Sequence, residues 1–417
     1  MHDANRSTHK LNQTSLTMIE YLAFALIGCF LGVFTGVTPG IHVNTICLLG
    51  LSVYPLLGLD AITFGVAMIS MAVTHTFLDF IPAIFLGVPE EETALSVLPA
   101  HKLVLAGKAY EAVKLTAYGS LLGLSFAVLS LPVALLVVPT VYASVRGYVV
   151  YILILAVGYL ILREKTASKK LWAATIFGLS GWLGHVAFSQ TSINQNHILF
   201  PVFTGLFGVS TILWSLKDKA ANTPQEEYAV VTVDGKFTLA GAVGAFGGML
   251  VGILPAMSPS QMGILLSEVL GDSTKLFLVS VSAINTSDAI YSFISLYTIG
   301  NPRSGVATML GQVIELDYNT LLLFVGVIAF TAPIALYLEL FIGKRALTLM
   351  RAVDFKSLNL AALGIVLALV YLMTGFWGIL YTVVATSIGM LPILTGVSRT
   401  HSMGILLLPT IMYFLGV

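Results

Sequence analysis

The chain has 417 residues and no net charge, since 20 Lys and Arg balance 20 Asp and Glu. Apolar residues make up 57% of it and charged residues 10%, a composition that excludes a soluble globular protein and is typical of a membrane protein with many spans. No basic block indicates a nucleic-acid partner. We therefore expect an all-α polytopic protein of the cell membrane, with no nucleic acid, no cofactor and no bound metal.

Apolar segments follow a polar N-terminal stretch and fall into two groups. The first group lies at about 19–37, 41–58, 61–86, 112–139, 141–162, 170–190 and 197–216. The second lies at about 238–257, 260–270, 273–299, 318–343, 356–375, 377–396 and 401–416. The predicted divisions are a polar N-terminal segment (1–17), a first transmembrane repeat (18–216), a polar linker (217–236) and a second transmembrane repeat (237–417). A translation start at Met18 is the alternative to translation of the polar segment.

One kind of stretch occurs twice. In 28–40 and again in 248–260, small residues recur at every fourth position and lead to a hydroxyl residue and a proline, Thr38-Pro39 and Ser258-Pro259. Proline removes a backbone donor and disfavours helix in the residue before it, so we predict a broken or re-entrant helical hairpin at each stretch. The alternative is that the small residues serve helix packing and the prolines are tolerated kinks.

Other landmarks recur in the same order, which favours an internal duplication typical of secondary transporters. They pair Gly87-Val88-Pro89 with Gly300-Asn301-Pro302, Thr76–Asp79 with Asn285–Asp288, and Pro201 with Pro409. The densest basic loops, in 163–170 and 344–356, fall at non-equivalent places in the two halves, and inverted repeats would put both in the cytoplasm. The predicted fold is two inverted structural repeats, each a broken or re-entrant hairpin followed by about five transmembrane helices.

The hairpin tips are the predicted substrate site. Helix ends that meet near the bilayer midplane offer unpaired N–H groups and positive dipole ends to an anion. Arg303, in the loop after the second repeat's long segment, has a guanidinium suited to a carboxylate or phosphate, although an ordinary solvated loop is the alternative there. The predicted substrate-binding residues are Thr38, Pro39, Gly40, His42, Asn44, Thr45, Ser258, Pro259, Ser260, Gln261 and Arg303.

Ionisable residues inside the next segment are the predicted coupling site. His75 and Asp79 lie one helical turn apart, and the counterpart segment carries Asn285 and Asp288. Charged groups within a span are costly and are mostly functional, so we predict that these four residues couple transport to a cation, sodium or a proton. The alternative is a further break in the helix, where water keeps Asp79 and Asp288 ionised.

Taken together, these motifs resemble the large membrane subunit of tripartite tricarboxylate transporters over nearly the whole chain after Met18. The resemblance is carried by Thr38-Pro39-Gly40, Ser258-Pro259, the two Gly-X-Pro loops, the Lys102–Ala112 segment and the Leu199–Gly208 run. It implies a subunit that imports carboxylates such as citrate, driven by an ion gradient, together with a small membrane subunit and an extracytoplasmic solute-binding protein.

Three hypotheses follow. The first is a cation- or proton-coupled carrier of a small organic anion. The second is a translocase for a lipid-linked phosphate such as polyprenyl phosphate, because the duplicated hairpins are also similar to those of polyprenyl-phosphate translocases. The third, an intramembrane enzyme using His75 and Asp79, is least favoured because an enzyme needs no second copy of its site. The expected partners are the anion or lipid phosphate, a coupling cation, membrane lipid, and a second copy of the chain or a small accessory subunit.

Overall fold

The computed structural model describes residues 2–39, 43–87, 92–194, 197–217, 224–254, 257–271, 273–352 and 355–416. Within these ranges the chain is helical and has no β-strand. The described helices of the first half are α1 (His2–Val37), α2 (Val43–Leu57), α3 (Ala61–Leu78), α4 (Phe80–Phe85), α5 (Val97–Leu105), α6 (Ala109–Leu129), α7 (Leu131–Val145), α8 (Val149–Leu162), α9 (Ala167–Ser189), α10 (Leu199–Phe203) and α11 (Ser210–Lys217). Those of the second half are α12 (Gly235–Val251), α13 (Pro259–Leu270), α14 (Thr274–Ile299), α15 (Gly305–Leu310), α16 (Tyr318–Ala352), α17 (Phe355–Thr395) and α18 (Gly404–Leu415).

Seven helices in the described ranges are long and apolar enough to cross a membrane. They cover Met18–Val37, Ala61–Phe85, Ala109–Leu129, Ala167–Ser189, Thr274–Ile299, Tyr318–Leu349 and Asn359–Thr395. The pair α7–α8 adds an apolar segment that bends by 87° at its break. The prediction of an all-α, multi-pass membrane protein is therefore confirmed.

Two predicted boundaries have different outcomes. The break expected near residue 376 is confirmed, because Gly375 interrupts α17 with non-helical angles (φ 65°, ψ −158°). The break expected near residue 140 is wrong, because Pro139 lies inside α7 and the helix continues to Val145. A membrane helix tolerates an internal proline when neighbouring groups satisfy the freed carbonyl.

The small residues of the repeated stretch pack helices together. A Cβ built at Gly32 of α1 would lie 2.5 Å from the Met71 carbonyl oxygen of α3. One built at Gly248 of α12 would overlap the Ser287 hydroxyl of α14. Small side chains let helix backbones approach where no hydrophobic effect drives association. The interpretation that the small residues of the repeated stretch serve helix packing is therefore confirmed.

Two further glycines approach the helices that carry the predicted coupling residues. Gly36 lies against His75 and Leu78, and Gly252 lies against Asp288 and Tyr291. Gly36 thus approaches the helix turn that carries His75, and Gly252 approaches the turn that carries Asp288. The sequence match of Asp79 with Asp288 stays a prediction.

Helices of the two halves pack on one another. The main partner of α6 is α14, whereas α16 packs on α3 as well as on α6. Likewise α9 packs on α18, and α17 packs on the π-helical turn Thr204–Val209. Gly205 lies against Thr382 and Ala385 of α17, and Gly404 lies against Phe177 and Ser180 of α9. The match of Pro201 with Pro409 stays a prediction.

The crossing of α9 and α18 offers a test of this packing. A Cβ at Gly184 would overlap the Ile405 carbonyl oxygen, which is backbone and cannot move aside. We expect Gly184→Ala to destabilise the protein by about 1–3 kcal/mol, the usual cost of overpacking, and to lower its melting temperature in detergent by several degrees. Gly178→Ala, on the same helix, meets nothing within 4 Å and should leave that temperature unchanged. Equal stability of both variants would contradict this packing.

The start of α6 lies beside the end of α16 and the start of α14. The Tyr110 hydroxyl donates to the Leu340 carbonyl oxygen over 3.4 Å, and Lys275 forms an ion pair with Glu111. The start of α9 reaches the end of α17, where Lys169 Nζ donates to the Gly396 carbonyl oxygen over 2.7 Å. These contacts fix the relative directions of the helices.

Candidate functional site

A polar cavity of about 350 Å³ lies between α3, α14, the tip before α13 and the loop after α14. Its volume is within the range of small-molecule sites. The polar side chains that line it are His75, Thr76, Asp79, Glu92, Ser258, Asn285, Asp288, Arg303 and Ser304. Five predicted site residues from α3, α14 and the Arg303 loop thus meet in one place, together with two from the second tip. We call it the central cavity.

His75 is held by the first hairpin helix. It is 3% exposed, and its Nδ1 lies 3.1 Å from the Thr35 hydroxyl. The Thr35 hydroxyl donates to the Gly32 carbonyl oxygen over 3.2 Å, so it accepts its bond from Nδ1. This bond fixes the ring against α1.

Asp79 joins the two halves across the cavity. Its Oδ2 accepts a 2.9 Å hydrogen bond from Asn285 Nδ2, which also lies 3.5 Å from the Thr76 carbonyl oxygen. Asp79 is 3% exposed. An amide donor stabilises a carboxylate, so this bond holds Asp79 and Asn285 together.

Asp288 is half-buried on the opposite wall. Its Oδ1 is buried and has no hydrogen-bond partner in the described part of the chain. The charged groups that influence it are Glu92 and Arg303. A buried carboxylate oxygen without a donor is costly, and a bound proton or cation would remove that cost.

Arg303 supplies the cavity's guanidinium. The Ser292 hydroxyl accepts from the backbone N–H groups of Arg303 and Ser304 over 3.0 and 2.7 Å, which fixes the loop. The side chain donates from Nη2 to the Ile253 carbonyl oxygen over 3.5 Å, and its buried Nε has no partner among the described residues. Burial lowers the pKa of Arg303, with Tyr142 and Asp288 acting in the opposite sense, and the group stays cationic at neutral pH.

Sequence features explain why α13 begins at the second tip. The Ser258 hydroxyl accepts from the Gln261 N–H over 3.3 Å, and Gln261 Oε1 accepts from the Ser258 N–H over 3.0 Å. This capping box, with Pro259 at the first helical position, satisfies donors that would otherwise be free. The Ser260 hydroxyl donates to the Glu92 carbonyl oxygen and accepts from the Leu95 N–H. Ser258 and Pro259 line the cavity, whereas Ser260 and Gln261 hold the tip in place.

The first tip is described only in part. Val43 of α2 lines the central cavity, whereas the half-buried Thr38 and the buried Pro39 do not. Gly40 and His42 lie outside the described residues, as do the side chains of Asn44 and Thr45. The substrate-binding role assigned to these residues stays a prediction.

One histidine outside the cavity gives a pH-dependent expectation. Burial lowers the pKa of His101 in α5 to about 4, and the charge of Arg399 adds to this effect. As the pH falls from about 6.5 to 4, the unfolded chain gains a proton that the folded chain does not, so the folded state loses up to about 3 kcal/mol. The melting temperature should therefore fall less steeply with decreasing pH in His101→Gln than in the wild type. Parallel curves would contradict the assignment.

The fold and the central cavity define a multi-pass membrane protein with a buried polar site. The chain matches the Tripartite tricarboxylate transporter TctA family over residues 22–404 and belongs to that family. This confirms the resemblance found in the sequence, and a transporter family disfavours the enzyme hypothesis.

Among relatives, the chain is 32% identical over 404 residues to the uncharacterized protein MJ1079 of Methanocaldococcus jannaschii. The match covers 94% of this chain and 99% of the relative. No solved structure matches the chain.

Proposed function

We propose that this protein is a secondary transporter of a small carboxylate of the tricarboxylate type, which binds in the central cavity and is coupled to protons or sodium ions. The observation that carries the proposal is Arg303. Its guanidinium lines the cavity and forms no ion pair with a carboxylate among the described residues. A planar guanidinium with free donors matches the geometry of a carboxylate.

The charged side chains of the cavity would make anion binding depend on a bound cation. Asp79, Glu92 and Asp288 line the same space as Arg303, so three carboxyl groups face one guanidinium. An anionic substrate would meet net repulsion if all three were ionised, because like charges repel strongly in a low dielectric. Protons or sodium ions bound at these carboxyl groups remove the repulsion, so the anion and the cation bind more tightly together than apart.

The residues divide by role. Arg303 binds a substrate carboxylate, and Ser258 and Ser304 offer hydroxyl groups beside it. Asp79 and Asp288 take up the coupling cation. His75 and Asn285 position these groups, since His75 is bonded to Thr35 and Asn285 is bonded to Asp79. Val43 of α2 lines the same cavity from the first half.

Inverted repeats fit the directions of the helices. The C-terminal half of α16 lies beside the start of α6, as the contact of Tyr110 with Leu340 indicates, and these two helices would correspond in inverted repeats. The start of α14 lies there too, since Lys275 pairs with Glu111. Corresponding helices that run in opposite directions place both basic loops on one face. By the positive-inside rule, that face is cytoplasmic.

The name of the family supports the expectation that this chain works with partner proteins. A tripartite transporter has three components, so we expect this chain to work with accessory subunits that deliver the substrate. The purified chain nevertheless contains the proposed binding cavity, so substrate binding is measurable without them.

A thermal-shift screen tests the proposal. Purified protein is heated with dicarboxylates, tricarboxylates and prenyl phosphates, each with and without sodium, at several pH values. We expect tricarboxylates to stabilise the wild type in a cation-dependent way, because a ligand that binds only the folded state raises its stability. Stabilisation by prenyl phosphates alone would contradict a carboxylate carrier and support a lipid-phosphate translocase.

A further inference from the structure

A second cavity of about 670 Å³ lies apart from the central one. It is enclosed by α5, α11, α13, the start of α14, the end of α17 and the 3-10 turn Arg399–Met403. Lys169, at the start of α9, reaches its rim at Gly396. The cavity is therefore on the same face as the start of α14. We call it the Arg399 cavity.

Arg399 is a buried cation that has only neutral partners. It is 8% exposed. Its Nη1 donates to the Thr211 hydroxyl over 2.6 Å and to the Phe207 carbonyl oxygen over 3.3 Å, and Nη2 donates to the Ser210 hydroxyl over 3.1 Å. No described carboxylate forms an ion pair with it. Burial lowers its pKa to about 10, so the group is still charged at neutral pH.

Two of the five guanidinium N–H groups are left over. Nε is buried and has no partner in the part of the chain that the structure describes. Nη2 has two hydrogens and its one bond goes to Ser210. The remaining N–H groups lie on one edge of the planar group, which is the edge that receives a carboxylate or phosphate with two parallel bonds.

The other described residues that line the cavity add a second cation and hydroxyl groups. The exposed Lys102 lines this cavity, as do the hydroxyl residues Ser398 and Thr400. No acidic residue is among the described lining residues. The nearby Glu164 does not line the cavity, and its Oε1 accepts from the Ser398 N–H and lies 3.1 Å from His401 Nε2. The described lining thus has two cations, the exposed Lys102 and the buried Arg399, and no carboxylate. A buried unpaired charge such as that of Arg399 is costly.

We propose that the Arg399 cavity is a second anion site, which binds an oxyanion, carboxylate or phosphate, through the free edge of Arg399 and through Lys102. The anion supplies the counter-ion that the described residues lack. The site is distinct from the one proposed for transport, because Arg303 does not line it. Soluble anions and the phosphate of a lipid headgroup share this chemistry.

The position of the site connects it to the central cavity. Helix α13 begins at the central cavity with Pro259 and lines the Arg399 cavity with Ile264 and Ser267. The adjoining turn does the same, with Glu92 on one side and Leu95 on the other. An anion at Arg399 therefore contacts the same helix and turn that form a wall of the substrate site.

The test measures anion binding in an Arg303→Gln background, which disables the proposed central site. Inorganic phosphate and citrate are titrated into the detergent-solubilised protein by calorimetry. We expect binding to remain in Arg303→Gln and to weaken at least about tenfold on adding either Arg399→Gln or Lys102→Glu. Lys165→Glu, an exposed lysine of the neighbouring loop that does not line the cavity, should change the affinity by less than about twofold.

A lipid arm identifies the source of the anion. Nanodiscs of phosphatidylglycerol and of phosphatidylcholine are compared, and native mass spectrometry counts the retained phosphatidylglycerol. If its retention depends on Arg399 and Lys102, the site holds a lipid phosphate; if only phosphate or citrate binding depends on them, it holds a soluble anion. Arg399 also bonds the π-helical turn, so Lys102→Glu, whose side chain is exposed, keeps the test valid if Arg399→Gln misfolds. Binding of all three ligands that is unaffected by Lys102→Glu in folded protein would overturn the proposal.

Discussion

An Arg303→Gln variant is expected to bind carboxylates about 10 to 100 times more weakly than the wild type, because it removes the charged donor of the central cavity. Arg303→Lys keeps the charge but loses the planar fork, so its affinity should fall between the two. Calorimetric titration of the purified proteins measures the carboxylate affinities of the wild type and of both variants. The backbone bonds of Arg303 and Ser304 to Ser292 are unchanged in both variants, so the loop should keep its position.

Arg146→Gln is the matched control for this variant. Arg146 is exposed at the bend between α7 and α8, and the described structure gives its side chain no partner. It lies on the same side of the molecule as Arg303, since Tyr142 of α7 accepts from Asn301 over 2.8 Å. Its removal should leave the affinity unchanged. An equal loss in both variants would show that general surface charge, and not the Arg303 site, attracts the anion.

Replacing the coupling carboxylates should strengthen anion binding at low cation concentration, which is the opposite of the effect expected for Arg303→Gln. Asp79→Asn and Asp288→Asn place a neutral amide where the account requires a bound proton or sodium ion. We therefore expect each variant to bind the anion more tightly than the wild type at high pH without sodium. The anion affinity of each variant should also depend less on pH and on the sodium concentration. An amide at position 79 can still accept from Asn285, so the link between α3 and α14 is kept.

Glu226→Gln provides the comparison. Glu226 is an exposed residue of the linker that does not line the cavity, so the substitution removes one negative charge without changing the site. Its cation dependence should equal that of the wild type. If Asp79→Asn and Asp288→Asn bind the anion more weakly and keep the full cation dependence, the two carboxylates are not the coupling groups.

Much of the helical architecture could be predicted from the sequence. The apolar segments located the spans because a helix in lipid must be apolar over about 20 residues. The break at Gly375 and the resumption of helix at Pro259 followed from residue types whose backbone preferences are strong. The left-handed glycines that end the matched segments, Gly87 (φ 65°) and Gly300 (φ 63°), fit the predicted loop correspondence.

The alignment of the two halves stays a prediction. Residue type pairs Asp79 with Asp288, whereas the spacing to Gly87 and Gly300 pairs His75 with Asp288. A shift of one turn preserves the face of a helix and therefore the pattern of apolar residues, so the sequence offers both registers.

The use of polar groups at the second tip was missed, although the sequence has a signal for part of it. Ser260 and Gln261 have the same hydroxyl and amide groups as a binding site, but the structure uses them to bond the turn near Glu92 and to cap α13. A capping box has a sequence signature, and the serine–proline–serine–glutamine run matched it. That signal would have identified Gln261 as a residue that supports the tip.

Two buried charged residues were missed as candidate site residues. Glu339 lies in α16, is 0% exposed and accepts a 2.8 Å bond from the Thr116 hydroxyl. The rule that singled out Asp79, an ionisable residue inside a span, applies equally to it. Arg399 stands just before the last apolar segment, where a basic residue is ordinary at a membrane interface, so its burial had no sequence signal.

The most direct test of the account is whether the anion binds together with a cation. Citrate binding to the purified protein is measured by calorimetry at several pH values and sodium concentrations, in buffers with different heats of ionisation. The account predicts that affinity rises with falling pH or with added sodium, and that proton uptake or a sodium requirement accompanies binding and is reduced in Asp288→Asn. Citrate affinity that is independent of both pH and sodium would contradict it.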